Sequence, residues 1–495
     1  MIYNFNLGIG WASSGVEYAQ AYRRNIFERI GKEAKFIFTD FISAENIEHY
    51  TKNIGFKDEQ IIWLYTFFTD TKIAPTTYTL NDFKNTLPNN DYTYERNGKR
   101  GIIKFNNGDF DTLYFVNDKD NYLFAVEIVS RGYLIRKDYF SYTKIFSEYY
   151  APKDNKAHMY LRRFFNENGT AAYDEINDDG EVMYKFKDHI FYNKQQLVGY
   201  MVSQLHLTKD DVMIVDRTTE VGQAILQNVN DARVGIVIHA DHYSEGNTDD
   251  DYILWNNYYE YDFAMNKHID FYVAATDAQN ELVRQQFKKY MGVEPNVYTI
   301  PVGSIDELKY PNKERKPFSI LTASRLANEK HIDWIVEAVA RAKKQIPELS
   351  LDIYGKGGEE SKILETIKKN NAQDYIKLCG HQNMTEIYKN YELYLSGSMS
   401  EGFGLTLLEA IGSGLPIIGF NVRYGNPTFI DDGKNGYLID VDDKMNQEAK
   451  IVELTDRIIK LFTEADLDSF HNHSYEKAKK FLTSEVEKRW EEAVK

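Results

Sequence analysis

Two series of short apolar segments constrain the fold of this chain more than any other feature. In the first series, the segments "DVMIVDR", "RVGIVIHA" and "FYVAAT" follow a strand, a glycine loop and an amphipathic helix in "IYNFNLGIGWASSGVEYAQAYRRNIFERIG". In the second, "FSILTASRL", "LSLDIYG", "YIKLCG", "YELYLSGS" and "LPIIGF" are separated by helical stretches such as "HIDWIVEAVARAKKQI". Such apolar runs are typical of buried parallel strands. The sequence predicts two successive α/β domains, each with a parallel sheet.

A different pattern interrupts the first series between about residues 90 and 192. Short alternating segments such as "RGIIKF", "YLFAVEIV" and "YLIRKDYF" carry many of the 37 Tyr and 29 Phe residues. The turn signals between them are Asn97-Gly98, Asn107-Gly108, Asn168-Gly169 and Asp179-Gly180. This combination predicts an antiparallel β-meander inserted into the first domain.

These patterns give the expected domain bounds. They are 1–70 and 192–300 for an N-terminal Rossmann-like domain, 70–192 for the meander, 301–473 for a C-terminal Rossmann-like domain, and 474–495 for a charged helix that crosses back to the first domain.

Charge and composition exclude several classes of protein. The formal charge of −16 leaves no basic excess for non-specific nucleic-acid binding. A single cysteine, Cys379, excludes an internal disulfide framework. No run of about 18 apolar residues and no secretory leader is found, so we expect the protein to stay inside the cell, with at most peripheral membrane contact.

Loops after the predicted strands carry the functional signals, because ligands of open α/β sheets bind at the carboxyl ends of strands. In "GIGWASSG", Gly8 and Gly10 fit a dinucleotide fingerprint, but Ser13 stands at the third glycine position and Gly15 comes two residues later. The free N–H groups of such a turn favour a phosphate. A purely structural tight turn is an equal alternative for this loop.

In "SRLANEKHIDW", Arg325 and Lys330 are five residues apart, after a strand and at the start of a helix. Two fixed cations can stabilise a departing diphosphate without a metal. The alternative for this pair alone is a solvated helix start.

The segment "SMSEGFGLTLLEAIGSGLPII" places Glu401 before a Gly-Phe-Gly turn and Glu409 in the following helix. We expect one carboxylate to bind sugar hydroxyls and the other ribose hydroxyls, on either side of a diphosphate. An acidic bias at a helix start would explain Glu409 but not the glycine turn beside Glu401.

Together, "SRLANEK", "IYGKGGE", "LCGH" and "EGFGLTLLEA" resemble the retaining glycosyltransferases of family four, which have the GT-B fold of two facing Rossmann-like domains. With the opening glycine loop, the meander and "VIHADHYSEGN", the likeness narrows to the catalytic subunits of O-GlcNAc transferases that modify serine-rich repeat adhesins in Gram-positive bacteria.

The resemblance implies a role for each matching residue. Arg325 and Lys330 neutralise the diphosphate, Glu401 begins the sugar-binding turn, and His239 lies beside the donor sugar, with His242 as a competitor. The remaining implied donor contacts are Gly15, Val16, Glu17, Tyr18, Gly380, His381, Gln382, Gly402, Phe403, Gly404, Leu405, Thr406 and Glu409. No metal or other cofactor is expected, and the acidic segment 248–252 is interpreted as a solvated loop.

Three functions stay open from the sequence. The first is transfer of N-acetylglucosamine from UDP-GlcNAc to Ser or Thr of a serine-rich repeat protein, with retention of configuration. The second is a family-four transferase with another UDP-sugar or a wall-polymer acceptor, and the third is a non-catalytic glycan-binding or chaperone subunit. The resemblance also implies a paralogous B subunit as partner. We expect the meander to dock this B subunit, or an extended serine-rich acceptor, or both in one continuous groove; a packing appendage is the alternative for that insertion.

Overall fold

Both predicted series of parallel strands are present in the structure, a computed structural model that describes residues 1–10, 15–88, 91–442 and 445–495. Contacts divide the chain into two units, Met1–Val237 with Trp255–Asp270 and Ile238–Leu254 with Phe271–Lys495. No helix in the described part of the chain has the length and apolar content that crossing a membrane requires.

The first unit contains the opening strand, the meander and the strands that follow it. Its strands are β1 (Ile2–Asn6), β2 (Ala34–Phe38), β3 (Ile61–Trp63), β4 (Tyr92–Asn97), β5 (Arg100–Phe105), β6 (Phe110–Phe115), β7 (Leu123–Ser130), β8 (Tyr133–Phe140), β9 (Lys144–Lys153), β10 (Lys156–Phe165), β11 (Ala171–Asp178), β12 (Glu181–Lys185), β13 (Ile190–Phe191), β14 (Val212–Val215) and β15 (Arg233–Ile238, which ends one residue past the unit). Its helices are α1 (Gly15–Arg29), α2 (Ile47–Asn53), α3 (Leu64–Phe67), α4 (Leu80–Lys84), α5 (Lys194–Gln204), α6 (Gly222–Leu226) and α7 (Glu260–Ala264).

The parallel strands of this unit lie in the order β15–β14–β1–β2–β3. Phe5 of β1 is opposite Val215 on one side and Ile37 on the other, and all three are fully buried. Burial on both faces explains why these strands are continuous apolar runs.

The meander is an antiparallel sheet in which β4 to β13 pair in chain order. Each of the four predicted turn signals lies at a connection between neighbouring strands, between β4 and β5, β5 and β6, β10 and β11, and β11 and β12. The meander prediction is therefore confirmed by the strand order.

Aromatic packing attaches the meander to the parallel sheet of its own unit. The ring of Phe41, between β2 and α2, lies 5.2 Å from Phe146 and 6.4 Å from Phe164 of the meander. The Arg162 guanidinium lies 3.5 Å above the same ring, and Tyr65 stacks on Phe164 at 5.7 Å. Removing the meander would expose this aromatic cluster to water.

The second unit contains the predicted C-terminal sheet. Its strands are β16 (Phe271–Ala274), β17 (Val297–Thr299), β18 (Ser319–Ala323), β19 (Ser350–Tyr354), β20 (Ile376–Gly380), β21 (Leu393–Ser396), β22 (Ile417–Phe420) and β23 (Gly436–Ile439). Its helices are α8 (Asp277–Met291), α9 (Ile332–Ala342), α10 (Glu360–Lys369), α11 (Leu405–Gly412), α12 (Gly425–Phe429), α13 (Gln447–Glu464), α14 (Leu467–Ala478) and α15 (Thr483–Ala493).

The parallel order β20–β19–β18–β21–β22–β23 brings the carboxyl ends of all these strands to one edge. The loops after β18, β20, β21 and β22 are therefore neighbours, although they come from distant parts of the sequence. This edge carries most of the predicted site residues.

The segment predicted as one closing helix, 474–495, contains the end of α14, a short turn and α15. Arg489 of α15 donates a hydrogen bond to the carbonyl of Thr299 in β17 at 3.1 Å. β17, which lies in the range 192–300 predicted for the first domain, pairs in parallel with β16.

Candidate active site

An ion pair joins two loops at the carboxyl edge of the second sheet. Lys330 Nζ lies 2.6 Å from Glu401 Oε2, and the side chains are only 15% and 18% exposed. Lys330 ends a 3-10 turn after β18, and Glu401 follows β21. Gly397 permits this approach, because a Cβ there would lie 2.7 Å from the carbonyl oxygen of Lys330.

The turn after Glu401 is built around Gly404. Its φ of +94° is strained for a residue with a side chain, and the turn places Leu405 at the start of α11. Phe403 anchors the turn from below, since its ring packs 5.0 Å from the buried ring of Phe429. The first amides of α11 therefore lie next to Glu401, where they can donate to an anionic ligand.

Arg325 has a different environment from Lys330. Its side chain is 80% exposed and lies 3.3 Å from Glu329 on the same loop. The structure thus gives the two predicted cations distinct positions, with Lys330 held by Glu401 and Arg325 extended into solvent.

Glu409 lies in α11, where burial raises the pKa of its carboxyl. The Tyr388 hydroxyl donates to Glu409 Oε2 at 2.8 Å and partly opposes that effect. Tyr394, also buried, donates to Thr406 Oγ1 at 3.0 Å and fixes the first turn of the same helix. Both tyrosines lie beneath predicted donor contacts.

The loop predicted to hold the uracil begins at Gly380, the last residue of β20, whose φ is +69°. His381 and Gln382 are exposed, and Gln382 Nε2 donates to the carbonyl of Cys379 at 3.0 Å. The loop therefore presents polar side chains at the same edge as Lys330.

The two candidate histidines follow β15 and differ in exposure. His242 is fully buried and its Nε2 lies 2.7 Å from Gln286 Oε1, while burial lowers its pKa to about 4. His239 is half-buried, and its carbonyl oxygen lies 3.4 Å from where a Cβ on Gly402 would be. The backbone of His239 thus lies beside the Gly402–Gly404 turn, which is predicted to bind the sugar.

The predicted phosphate loop of the first unit is described only in part. Trp11, Ala12, Ser13 and Ser14 lie outside the described residues. Gly15 starts α1, Val16 and Glu17 are buried, and Tyr18 is exposed. Glu17 Oε1 accepts a hydrogen bond from Asn6 Nδ2 at 3.2 Å, which ties the start of α1 to the end of β1.

The acidic segment 248–252 forms a local turn. Asp249 accepts the backbone N–H groups of Asp251 and Tyr252, and Asp250 pairs with Lys289 at 2.9 Å. Among the described residues, no three His, Cys, Asp or Glu side chains are grouped so as to hold a metal ion.

Two protein-family models match the chain. The model described as "GtfA extended beta-sheet domain" matches residues 92–188, which form the meander. The model described as "Glycosyl transferases group 1" matches residues 305–461, which contain Lys330 and Glu401.

A relative from Streptococcus gordonii, the UDP-N-acetylglucosamine--peptide N-acetylglucosaminyltransferase GtfA subunit, is 52% identical over 498 residues. The match covers 100% of this chain and 98% of the relative. This chain belongs to the GtfA family.

Solved structures of the GtfA family support the same assignment. The pneumococcal O-GlcNAc transferase GtfA in complex with UDP and GlcNAc is 51% identical, with a TM-score of 0.90 and coverage of 100% of this chain and 98% of that one. The GtfA/B complex contains a chain that is 52% identical, with a TM-score of 0.97 and coverage of 100% and 99%. The predicted GT-B fold class, the family resemblance and the glycosyltransferase class are therefore confirmed.

The sequence analysis did not identify three buried tyrosines that contact the predicted site residues of this GtfA-family chain. Tyr388 and Tyr394 form hydrogen bonds with side chains of α11, and the Tyr424 hydroxyl lies 3.4 Å from His242 Nδ1. None of the three tyrosines belongs to a motif that we identified. The repeated tyrosines in "EIYKNYELYLSGS" were the available signal for the first two.

Proposed function

We propose that this chain transfers N-acetylglucosamine from UDP-GlcNAc to serine and threonine hydroxyls of a serine-rich repeat protein, as the first step of its O-glycosylation. The observation that carries the proposal is the full-length identity of 52% with a GtfA subunit named as a UDP-N-acetylglucosamine--peptide N-acetylglucosaminyltransferase. The pneumococcal relative bound to UDP and GlcNAc supports the choice of donor.

The residues at the carboxyl edge of the second sheet have chemistry that fits this donor. Lys330 and Arg325 supply positive charge for the diphosphate, which gains negative charge as the glycosidic bond breaks. Glu401 accepts hydrogen bonds from sugar hydroxyls. Gly402 and Gly404 have no side chains, so the ligand can approach the backbone of this turn closely. Glu409 accepts from the ribose, and His381 with Gln382 contacts the uracil.

Two further assignments rest on the resemblance. His239 lies beside the donor sugar, and Gly15, Val16, Glu17 and Tyr18 contact the diphosphate. The reaction retains the anomeric configuration and uses no metal or other cofactor, since two cations and the N-terminal amides of α11 supply the positive charge that a metal would otherwise provide.

A paralogous B subunit is the proposed partner, and the GtfA/B complex of a relative supports it. We assign the docking surface to the meander, whose Tyr133, Ile135 and Tyr160 are exposed. Exposed aromatic side chains are frequent anchors of protein interfaces. The cytoplasmic location is a prediction that cell fractionation tests.

The test is a comparison of donors and acceptors. The chain and its B subunit are incubated with UDP-GlcNAc or UDP-glucose, and with either a serine-rich peptide or a polyol-phosphate wall polymer. We expect an N-acetylhexosamine mass increase on the peptide with UDP-GlcNAc. Modification of the wall polymer alone, or preference for UDP-glucose, would favour the second function, and donor-independent peptide binding without transfer would favour the third.

A further inference from the structure

Tyr424 has a backbone conformation that residues with side chains rarely adopt. Its φ is +72° and its ψ is −69°, four residues after the end of β22, and its side chain is buried. Such strained positions persist only where the surrounding structure holds them, and they are frequent at functional sites. The groups that hold Tyr424 in this conformation therefore indicate what role this residue has.

The phenol of Tyr424 reaches His242. Its hydroxyl lies 3.4 Å from His242 Nδ1, while His242 Nε2 lies 2.7 Å from Gln286 Oε1. With Nε2–H donating to the Gln286 carbonyl oxygen, Nδ1 carries the lone pair and accepts from the Tyr424 hydroxyl. Burial keeps this imidazole neutral at physiological pH, because it lowers the pKa to about 4.

The backbone of Tyr424 in turn contacts Glu401. The two residues form a parallel β-bridge, and the next N–H, that of Gly425, donates to the Glu401 carbonyl at 2.8 Å. A Cβ on Gly425 would lie 2.4 Å from Glu401 Cγ, so only glycine permits this contact. Residues 424–425 therefore form the wall against which Glu401 is held while it pairs with Lys330.

We propose that His242 is a positioning residue. It accepts a hydrogen bond from the Tyr424 hydroxyl and so fixes the position of residues 424–425, the wall that orients Glu401 toward the donor sugar. The proposal rests on the function proposed above, because Glu401 is assigned there to the sugar. The proposal also gives the two histidines different roles. Both ring nitrogens of His242 are hydrogen-bonded, to Tyr424 and to Gln286, so His242 exchanges no proton with the substrate.

Three substitutions in the full-length chain, assayed with its B subunit, test the proposal. In His242→Asn, the amide oxygen can take the place of Nδ1 and accept from Tyr424, but it cannot exchange a proton. His242→Ala and Tyr424→Phe remove the hydrogen bond. We expect each of these two to lower kcat for UDP-GlcNAc by about tenfold, the value of one buried hydrogen bond, with the double variant no worse than either. His242→Asn should recover most of the activity.

Calorimetry with UDP separates positioning from a loss of folding. UDP lacks the sugar, so its Kd should stay within about twofold of wild type in all three variants. The matched control is Tyr475→Phe, which removes an equally buried hydroxyl of the second unit that bonds the carbonyl of Lys309. This control should lower thermal stability and leave kcat unchanged.

Hydrogen exchange gives a readout that does not depend on transfer. Segment 398–404 should exchange faster in His242→Ala and Tyr424→Phe than in wild type, but not in His242→Asn or Tyr475→Phe. Equal loss of kcat in His242→Asn and His242→Ala, or wild-type exchange in Tyr424→Phe, would overturn the proposal. If the wild type transfers no GlcNAc while the exchange pattern holds, the proposed function fails and the positioning role stands.

Discussion

Lys330 and Glu401 form an ion pair at 2.6 Å, which joins the residue assigned to the diphosphate with the residue assigned to the sugar. Both side chains are largely buried, so each charge depends on the other in the absence of donor. A substitution of one of these two residues therefore leaves the charge of the other without its partner. Arg325, exposed on the same loop, is the cation whose removal can be interpreted most simply.

Arg325→Ala should weaken UDP binding and lower turnover together. A hydrogen bond to a charged group contributes roughly 1.5 to 3 kcal/mol, so the Kd for UDP should rise by at least about tenfold. The control is Arg341→Ala, which removes an arginine of α9 that pairs with Glu448. Calorimetry that finds the same Kd in both variants would remove Arg325 from the donor site.

UDP binding should not require a divalent metal. Arg325, Lys330 and the N-terminal amides of α11 supply the positive charge near the proposed diphosphate position. We expect calorimetric titrations in chelator and in excess Mg²⁺ to give the same Kd within about twofold. Affinity that disappears in chelator would show that the cation assignment is wrong.

Replacing exposed aromatics of the meander should weaken partner binding without affecting the donor. Tyr133→Ser and Tyr160→Ser should each raise the Kd for the B subunit by about tenfold or more, as removal of an interface anchor does. Tyr258→Ser, at an exposed tyrosine outside the meander, is the control. Point substitutions are preferable to deletion of residues 75–190, because deletion exposes Phe41 and Tyr65. Unchanged complex formation in both variants would favour a packing role for the meander.

Stability of the meander should depend on the protonation of Asp111. Burial raises the pKa of this β6 carboxyl from an ordinary 3.8 to about 7, and Asp138 and Asp109 add to the effect while Arg136 opposes it. The folded state binds more protons than the unfolded state between these pH values, so the free energy of unfolding falls as pH rises through the window.

Asp111→Asn lacks that pH dependence, because the amide does not ionise. The free energy of unfolding of Asp111→Asn should therefore increase relative to that of wild type from pH 4 to pH 8, by about 4 kcal/mol over the whole window. This difference in the free energy of unfolding can be measured by denaturant titration, with hydrogen exchange of the β6 amides as the signal. An identical difference at pH 4 and pH 8 would show that the pKa of Asp111 is not raised in the folded state.

The sequence predicted the elements of this fold because their signals are local. Turn dipeptides such as Asn107-Gly108 fix hairpins within a few residues, and buried runs such as "LPIIGF" mark parallel strands directly. The closing segment was harder to predict, since the break between α14 and α15 coincides with pairing of Leu482 to Ile305, which lies far away in the sequence.

The same contrast between local signals and contacts of distant residues applies to the candidate site. Glu401, Gly404 and Lys330 were predictable because they occur in short motifs. The pairing of Lys330 with Glu401, and the support of Glu401 by Tyr424, depend on which strand ends are neighbours in the folded sheet. No spacing in the sequence encodes those contacts, so a pattern could nominate His239 and His242 but could not distinguish them.

The most direct test of the proposed reaction is mass spectrometry of a serine-rich peptide after incubation with UDP-GlcNAc, the B subunit and either the wild type or Glu401→Gln. We expect the wild type to add N-acetylhexosamine to Ser or Thr. Glu401→Gln should slow the addition by about tenfold or more, because the charged acceptor of the sugar is lost, and should change the Kd for UDP, through Lys330, by less than it changes the rate. An unmodified peptide with the wild type, or equal modification by both proteins, would contradict the account.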